Sequence, residues 1–420
     1  MQQTHYLIVG ASHAALAALH AIRLHDPDRE LTVVNRDHEL PYSPTVLPYV
    51  VSGRSDPARV YLRDEDFFSR LRVNYRPGAC VRSVDAGGAA VQLAEGTKIG
   101  FRKLLIASGA APALPPVPGL SGVRFHVLRT LKDAVALREA LPRTRNAVVL
   151  GGGLIGMHAA ENLAKGGVRV TVVEMQAHVL PGYFDADAAG IIERVFSANG
   201  VRLLTGRRVT SLASSGAAAR ATLDDGLELD ADLLLVATGV APVTDFLNGS
   251  GIQTERGILV DDSLRTNLEN VWAAGDVAQA RGFFGERSIL NGILPDAVDQ
   301  GRIAGMEMAK DPGVRPYAGG VPLNAYAFFG HHALSVGVQE DALGQSGVEV
   351  HRRVEAGQGR YLKIVLRDNR LAGIFGIDVA FDGGIMWELM LRGIDLGPVR
   401  QAFLDAPQQT ARALMSRNWR

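Results

Sequence analysis

The stretch AVVLGGGLIGMHAAENLAKGGVRVTVVEM, residues 147–175, decides how the rest of the chain is read. A strand pattern runs into Gly151, Gly153 and Gly156 at G-x-G-x-x-G spacing. A helix pattern follows, and a second strand ends at Glu174, about the 20 residues further on where a ribose-binding acid belongs. Gly151 permits the tight turn, Gly153 lets backbone approach a pyrophosphate, and Gly156 allows close helix–strand packing. Ile155 belongs to the same turn, and the helix N-terminus offers about half a positive charge to the phosphates. Glu174 is expected to bind both ribose hydroxyls and repel a 2′-phosphate. Met175 and Gln176 supply no arginine to accept one, so NAD is expected over NADP.

A weaker copy stands at the N-terminus. YLIVGASHAALAALHAI, residues 6–22, has Gly10 in place, but Ser12 and Ala15 stand where the second and third glycines would be. Ala15 is an accepted substitute for the packing glycine, and Ser12 is tolerable if it turns away or bonds a phosphate oxygen. His13 sits at the start of the helix, where either a pyrophosphate contact or solvent awaits it. The following strand, ELTVVNRD, ends in Asn35, which accepts one ribose hydroxyl bond and donates another without charge assistance. The two halves also share a later stretch: LLIASGAAP, residues 104–112, matches LLLVATGVAP, residues 233–242. An internal duplication of nucleotide-binding units explains the repeated order of strand, glycine turn, helix and strand.

Composition narrows the class. A chain of 420 residues suggests two or three domains. Lys plus Arg equals Asp plus Glu, 44 each, so no net field recruits nucleic acid or an anionic membrane surface. No apolar run approaches the roughly 20 residues of a bilayer span, and a strand pattern at the N-terminus leaves no room for a signal peptide; a cytoplasmic protein is expected. A single cysteine, Cys80, excludes a disulfide, a dithiol pair and a cysteine-ligated cluster within the chain. Cys80 lies in GACVRSV, which reads as a strand with a small buried residue. His331-His332 lacks nearby Cys or Asp partners in the sequence and reads as a hairpin tip, so no metal is expected.

Downstream, NVWAAGDVAQ (residues 270–279) ends a short strand at Gly275-Asp276, and NGILPDAVDQGRIAG (residues 291–305) opens a helix. Asp276 either caps the following segment or accepts hydrogen bonds from a polyol. The whole order, from glycine turn to IASGAAP, second glycine turn, VATGVAP, AAGDVA and this helix, resembles the FAD-dependent pyridine-nucleotide oxidoreductases with two dinucleotide-binding domains. The resemblance implies an α/β fold: an FAD-binding domain of residues 1–122 and 241–316, an inserted Rossmann-like NAD-binding domain of 123–240, and a small α+β C-terminal domain of 317–420 that packs on the flavin domain or a partner. It assigns Gly10, Ser12, His13, Ala15, Asn35, Ser108, Gly109, Asp276, Leu294 and Pro295 to FAD, and Gly151, Gly153, Ile155, Gly156, Glu174, Thr238 and Gly239 to NAD. Asp276 would hold the ribityl hydroxyls, and Ile293, Leu294 and Pro295 would aim a helix N-terminus at the flavin pyrimidine.

Departures from the family pattern are informative. Thr45 stands at the place of the redox cysteine, Tyr49 at that of a lysine near flavin N5, and His158 where a glutamate usually lies near the nicotinamide. These three are flavin-adjacent candidates, and no side chain is assigned as catalytic; His158 either orients the nicotinamide or is satisfied at a domain seam. With no thiol, no cluster and no organic substrate pocket, hydride exchange between NAD and FAD is the remaining chemistry, and the missing redox centre must lie on another protein. The resemblance implies the flavoprotein branch that serves multi-subunit 2-oxoacid oxidoreductases, taking electrons from an iron–sulfur electron-transfer subunit to form NADH. A free-standing NADH-dependent ferredoxin or rubredoxin reductase, an NADH oxidase and a flavoprotein scaffold are the alternatives.

Overall fold

The computed structural model describes residues 2–418 apart from 216–217, 286–287 and 345. The chain packs as two compact units. The first comprises Met1–Ser43, Val60–Ala111 and Ala241–Val321, and the second Pro44–Arg59, Pro112–Val240 and Pro322–Arg420.

In the first unit four parallel strands lie in the order Val73–Pro77, Leu31–Asn35, Gln2–Val9, Lys98–Ile106. The end of Lys98–Ile106 pairs in parallel with Val271–Ala273, and its beginning pairs antiparallel with Ala90–Leu93, which continues to Val81–Asp85. Residues Tyr6–Val9 are buried without alternation, as a parallel strand covered on both faces requires. The alanines of helix His13–His25 have a packing reason. A Cβ on Gly301 would lie 2.1 Å from the Ala14 carbonyl oxygen, and one on Gly305 2.5 Å from that of Ala18. Small residues on both sides therefore bring helix Leu294–Ala309 into backbone contact with His13–His25.

The second unit repeats this plan with the parallel order Arg202–Leu204, Arg169–Val173, Asn146–Leu150, Leu233–Val236. A three-stranded antiparallel sheet, Val209–Ser215, Ala218–Leu223 and Glu228–Ala231, packs beside it in one apolar cluster with Val148, Leu150, Leu234 and Val236. The C-terminal part forms a five-stranded antiparallel sheet in the order Leu323–Phe328, His331–Gly337, Arg370–Ile377, Arg360–Arg367, Val348–Glu355, followed by three helices from Gly383 to Asn418. The edge strand Val348–Glu355, the small three-stranded sheet and the last two helices are not among the elements read from the sequence.

The duplication is visible bond for bond. In the first unit Gly10 N donates to Val34 O and Ala107 N to Val9 O, both at 2.8 Å; in the second Gly151 N donates to Val173 O and Ala237 N to Leu150 O, again both at 2.8 Å. One feature differs from the sequence reading: Cys80 stands just ahead of strand Val81–Asp85 and is half-buried, because its neighbour Ala79 takes the core position.

Candidate functional site

Each unit carries one glycine turn at the C-terminal end of its first parallel strand. In the first, Gly10 has φ +109°, and a Cβ there would fall 2.2 Å from the Ala107 carbonyl oxygen. Only glycine fits. In the second, Gly151 has φ +104°, and its Cβ would lie 2.4 Å from the Ala237 carbonyl oxygen. Position by position the turns remain superposable in kind. Ser12 is the N-cap of its helix with φ −93° and ψ −163°, and Gly153 is the N-cap of Leu154–Lys165 with φ −77° and ψ −179°. A Cβ on Gly153 would meet nothing within 4 Å, so the protein itself makes no demand for glycine there. Ser12 is exposed and forms no capping bond. Gly156 is different: its Cβ would sit 2.0 Å from the Gly151 carbonyl oxygen, whereas Ala15 is accommodated, 2 % exposed, at the matching place in the first turn. Both helices thus begin with backbone N–H groups that no side chain caps, beside an opening, which is what a pyrophosphate needs.

Around the first turn, Asn35 ends strand Leu31–Asn35 and donates through Nδ2 to Asp37 O at 3.1 Å and to the Tyr75 hydroxyl at 3.4 Å. His13 is half-buried with Nε2 3.0 Å from Ser43 Oγ, and burial, with the charge of Arg63, holds its pKa below the ordinary histidine value while Asp276 opposes them. Asp276 follows Gly275, whose φ is +80° and whose N–H donates to Gln300 Oε1 at 2.8 Å. One carboxylate oxygen of Asp276 lies 3.5 Å from where a Cβ on Gly292 would begin. Pro295 is in the first turn of helix Leu294–Ala309, Leu294 is 38 % exposed, and the N-cap Ile293 supplies no side-chain bond. An uncapped glycine turn, a half-buried carboxylate and a second uncapped helix end, all in one unit, fit the diphosphate, ribityl and pyrimidine parts of FAD.

Around the second turn, Glu174 is 9 % exposed; its Oε2 accepts from Gly152 N at 2.6 Å and its Oε1 from Gln176 N at 2.7 Å. The carboxylate is therefore oriented by backbone at the end of strand Arg169–Val173, beside the turn. Ile155 is 36 % exposed on the first turn of the helix. The hydroxyl–glycine pairs have a structural task in both units. Ser108 Oγ donates to Val243 O at 2.9 Å while Val243 N donates to Gly109 O at 3.0 Å. In the second unit Thr238 Oγ1 donates to Ala113 O at 2.7 Å and Ala113 N donates to Gly239 O at 3.0 Å.

The three flavin-adjacent candidates come together in the second unit. Thr45 lies in the short turn Pro44–Val46 and Tyr49, 45 % exposed, in helix Leu47–Val51. Asn162 Nδ2 donates to Pro48 O at 3.1 Å and ties that helix to Leu154–Lys165, which carries His158. His158 packs edge-on against Tyr326, centroids 4.6 Å apart, and its burial lowers its pKa, so it is neutral at physiological pH. Sequence reading missed Glu161 on the same helix, which is 6 % exposed, pairs with Lys165 Nζ at 2.5 Å and accepts from Phe329 N at 2.7 Å. Its i+3 offset from His158 on an amphipathic helix was the available signal. His331 and His332 open strand His331–Gly337, with His331 Nδ1 2.6 Å from Asp378 Oδ2. No helix among the described residues is long and apolar enough to cross a membrane.

Comparison with known proteins agrees with this geometry. Residues 4–306 match the model of the pyridine nucleotide-disulphide oxidoreductases. The chain is 54% identical over 421 residues to the NADH-dependent phenylglyoxylate dehydrogenase subunit epsilon of Aromatoleum evansii, covering 100% of this chain and 99% of that protein. It is 28% identical over 301 residues to a rubredoxin-NAD(+) reductase of Pseudomonas putida, covering 71% of this chain and 78% of that one. Among solved structures, the ferredoxin reductase for the CYP199A2 system from Rhodopseudomonas palustris superposes with a TM-score of 0.81 at 27% identity, covering 89% of this chain and 91% of its own. The chain belongs to the pyridine nucleotide-disulphide oxidoreductase family, and within it is an oxidoreductase that uses FAD and NAD(H).

Proposed function

We propose that the chain is the flavoprotein subunit of a cytoplasmic 2-oxoacid oxidoreductase complex such as phenylglyoxylate dehydrogenase, passing electrons from an iron–sulfur partner to NAD+. The observation that carries this reading is the end-to-end 54% identity with the epsilon subunit, which leaves no part of either chain unmatched beyond 1%. The single, half-buried Cys80 supports it, since a thiol relay needs a pair and a cysteine-ligated cluster needs several. Bound FAD would supply the exchange between hydride chemistry on the nicotinamide side and single electrons on the carrier side. The chain's own residues bind and orient. The Gly10 turn and the uncapped start of His13–His25 would hold the FAD diphosphate, and Asp276 would accept bonds from ribityl hydroxyls. The start of Leu294–Ala309 would place about half a positive charge where negative charge develops on reduction. Gly151, Gly153 and Gly156 would admit the NAD pyrophosphate, and Glu174, already fixed by two N–H bonds, would take the ribose hydroxyls and reject a 2′-phosphate.

Purification of the tagged chain from its native host tests the assignment. Co-elution with further subunits and iron–sulfur absorbance is expected. A chain that elutes alone and reduces ferredoxin or rubredoxin with NADH refutes it in favour of a free-standing reductase, the reading that the 27–28% identical reductases favour.

A further inference from the structure

Asp296 is a carboxylate for which the binding roles above have no use. It lies in the first turn of helix Leu294–Ala309 and is 1 % exposed. Asn291 Nδ2 donates to its Oδ2, and the Tyr317 hydroxyl is hydrogen-bonded to the same carboxyl. That hydroxyl also accepts from Gln300 Nε2 at 3.3 Å, and Gln300 Oε1 accepts from Gly275 N at 2.8 Å. Gly275 precedes Asp276, and Asp276 in turn faces Gly292, next to Asn291. Hydrogen bonds therefore run from the Gly275-Asp276 loop through Gln300 and Tyr317 to Asp296 and on to Asn291, whose neighbour Gly292 lies beside the Asp276 carboxylate.

An asparagine would satisfy these partners without burying a charge. The carboxyl instead stands where its ionised form is penalised. Tyr317 and Asn291 favour the charged form; burial and Asp299, one turn along the helix, disfavour it, and burial dominates, so that the carboxyl is pushed up to about 6. His13, whose pKa is lowered by burial, also faces this loop, as does the Asp276 carboxylate.

We propose that Asp296 is a positioning residue that couples a proton to flavin reduction through the Asn291–Tyr317–Gln300 network and thereby sets the pH dependence of the flavin potential. The proposal rests on the reading of the first unit as the FAD site. As two electrons enter the cofactor, a solvent proton binds the Asp296 carboxylate and forms an O–H bond; on re-oxidation that bond breaks and the proton returns to solvent. The linkage is reciprocal: negative charge arriving beside the helix end raises the proton affinity of Asp296, and an ionised Asp296 opposes that arriving charge. Below the titration range Asp296 is neutral in both redox states and without effect. Above it, the carboxylate offsets the positive helix end and lowers the potential.

Anaerobic redox titration of the flavin absorbance in the FAD-loaded protein, from pH 5 to 8.5, tests this on wild type and Asp296→Asn. The difference between the two potentials is expected to be zero at pH 5 and to grow until wild type lies lower by tenfold to a hundredfold in the reduced-to-oxidised ratio, about 30–60 mV. The titrations of His13 and of the cofactor itself are common to both proteins and cancel in that difference. A difference that does not change with pH overturns the proposal. Tyr317→Phe removes a bond to the charged form and is expected to move the break in the wild-type curve to higher pH; should Asp296→Asn fail to fold, an unmoved break in Tyr317→Phe overturns it. A wild-type protein that neither carries nor takes up FAD refutes the underlying site reading, and the proposal with it.

Discussion

Two glycines of the second turn separate packing from binding. A methyl on Gly156 would sit 2.0 Å from the Gly151 carbonyl oxygen, short of an ordinary C···O contact of roughly 3.3 Å by about 1.3 Å. Backbone cannot swing aside as a side chain can, so in Gly156→Ala the helix start must retreat. Overpacking costs about 1–3 kcal/mol, and the better helix propensity of alanine returns at most about 1. A net loss of about 1 kcal/mol is expected, seen as a fall of roughly 2–4 °C in the unfolding temperature. A retreat of about 1 Å also misplaces the N–H groups, so NADH affinity should drop by roughly tenfold to a hundredfold. Gly153→Ala has the opposite profile. Its φ of −77° suits any residue and its Cβ meets nothing within 4 Å, so only the N-cap exchange, about 0.5 kcal/mol, touches stability. The methyl instead occupies the approach of the pyrophosphate, and NADH affinity should fall at nearly unchanged unfolding temperature. Gly153→Ser, copying Ser12, restores a hydroxyl to the phosphate and should recover part of that loss. Thermal unfolding and calorimetric NADH titration of the FAD-loaded variants measure both quantities. Unaltered NADH binding in Gly153→Ala would refute the assignment of this turn to NAD.

Asp276→Ala should purify with FAD occupancy at least tenfold lower at equal dilution, read from the ratio of flavin to protein absorbance; full occupancy rules out a ribityl contact. Glu174→Arg should invert the NAD+/NADP+ preference in kcat/KM, and an unchanged preference removes Glu174 from the ribose. Lys363 is 1 % exposed and pairs with Asp185 at 3.2 Å and Glu340 at 2.5 Å; Lys363→Met should destabilise the second unit by about 2–3 kcal/mol, below the roughly 3–5 of a fully enclosed pair because both acids keep some water. The folded pKa values of Asp185 and Glu340 are lowered by Tyr361 and Lys363 against the opposing effect of burial. Their contribution is thus complete above the ordinary carboxylate range and lost as pH falls through the lowered values, so the Lys363→Met penalty measured by denaturant unfolding should shrink below about pH 4. A penalty constant from pH 7 to pH 3 contradicts the ion-pair account.

What the sequence disclosed and what it hid follow from the range of the forces involved. Gly10 and Gly151 were legible because one backbone conformation next to one strand end demands glycine, and that demand is local. The tolerance of Ser12 was legible for the same reason: Ser12 and Gly153 cap their helices in matching extended conformations, and the space beside Gly153 is open. That Ala15 can replace the packing glycine was legible as well; why it fits here was not, since that depends on how far its helix stands from the strand, a distance set on the other side by Gly301 and Gly305 against Ala14 and Ala18, nearly three hundred residues away in sequence. Ser108 and Thr238 were assigned to the cofactors by the resemblance; their bonds to Val243 and Ala113 reach 135 and 125 residues along the chain, which neither repeated stretch shows by itself. The buried acids were hidden for a third reason. Asp296 sits in LPDAVDQ, where an acid in the first turn of a helix is ordinary surface chemistry. Only the packing of Asn291, Gln300 and Tyr317 around it removes the water, and with it the freedom to ionise at low pH that the same residue would have on any exposed helix. A charged residue thus changes meaning with its burial, and burial is the one property of a helix start that its own residues do not encode.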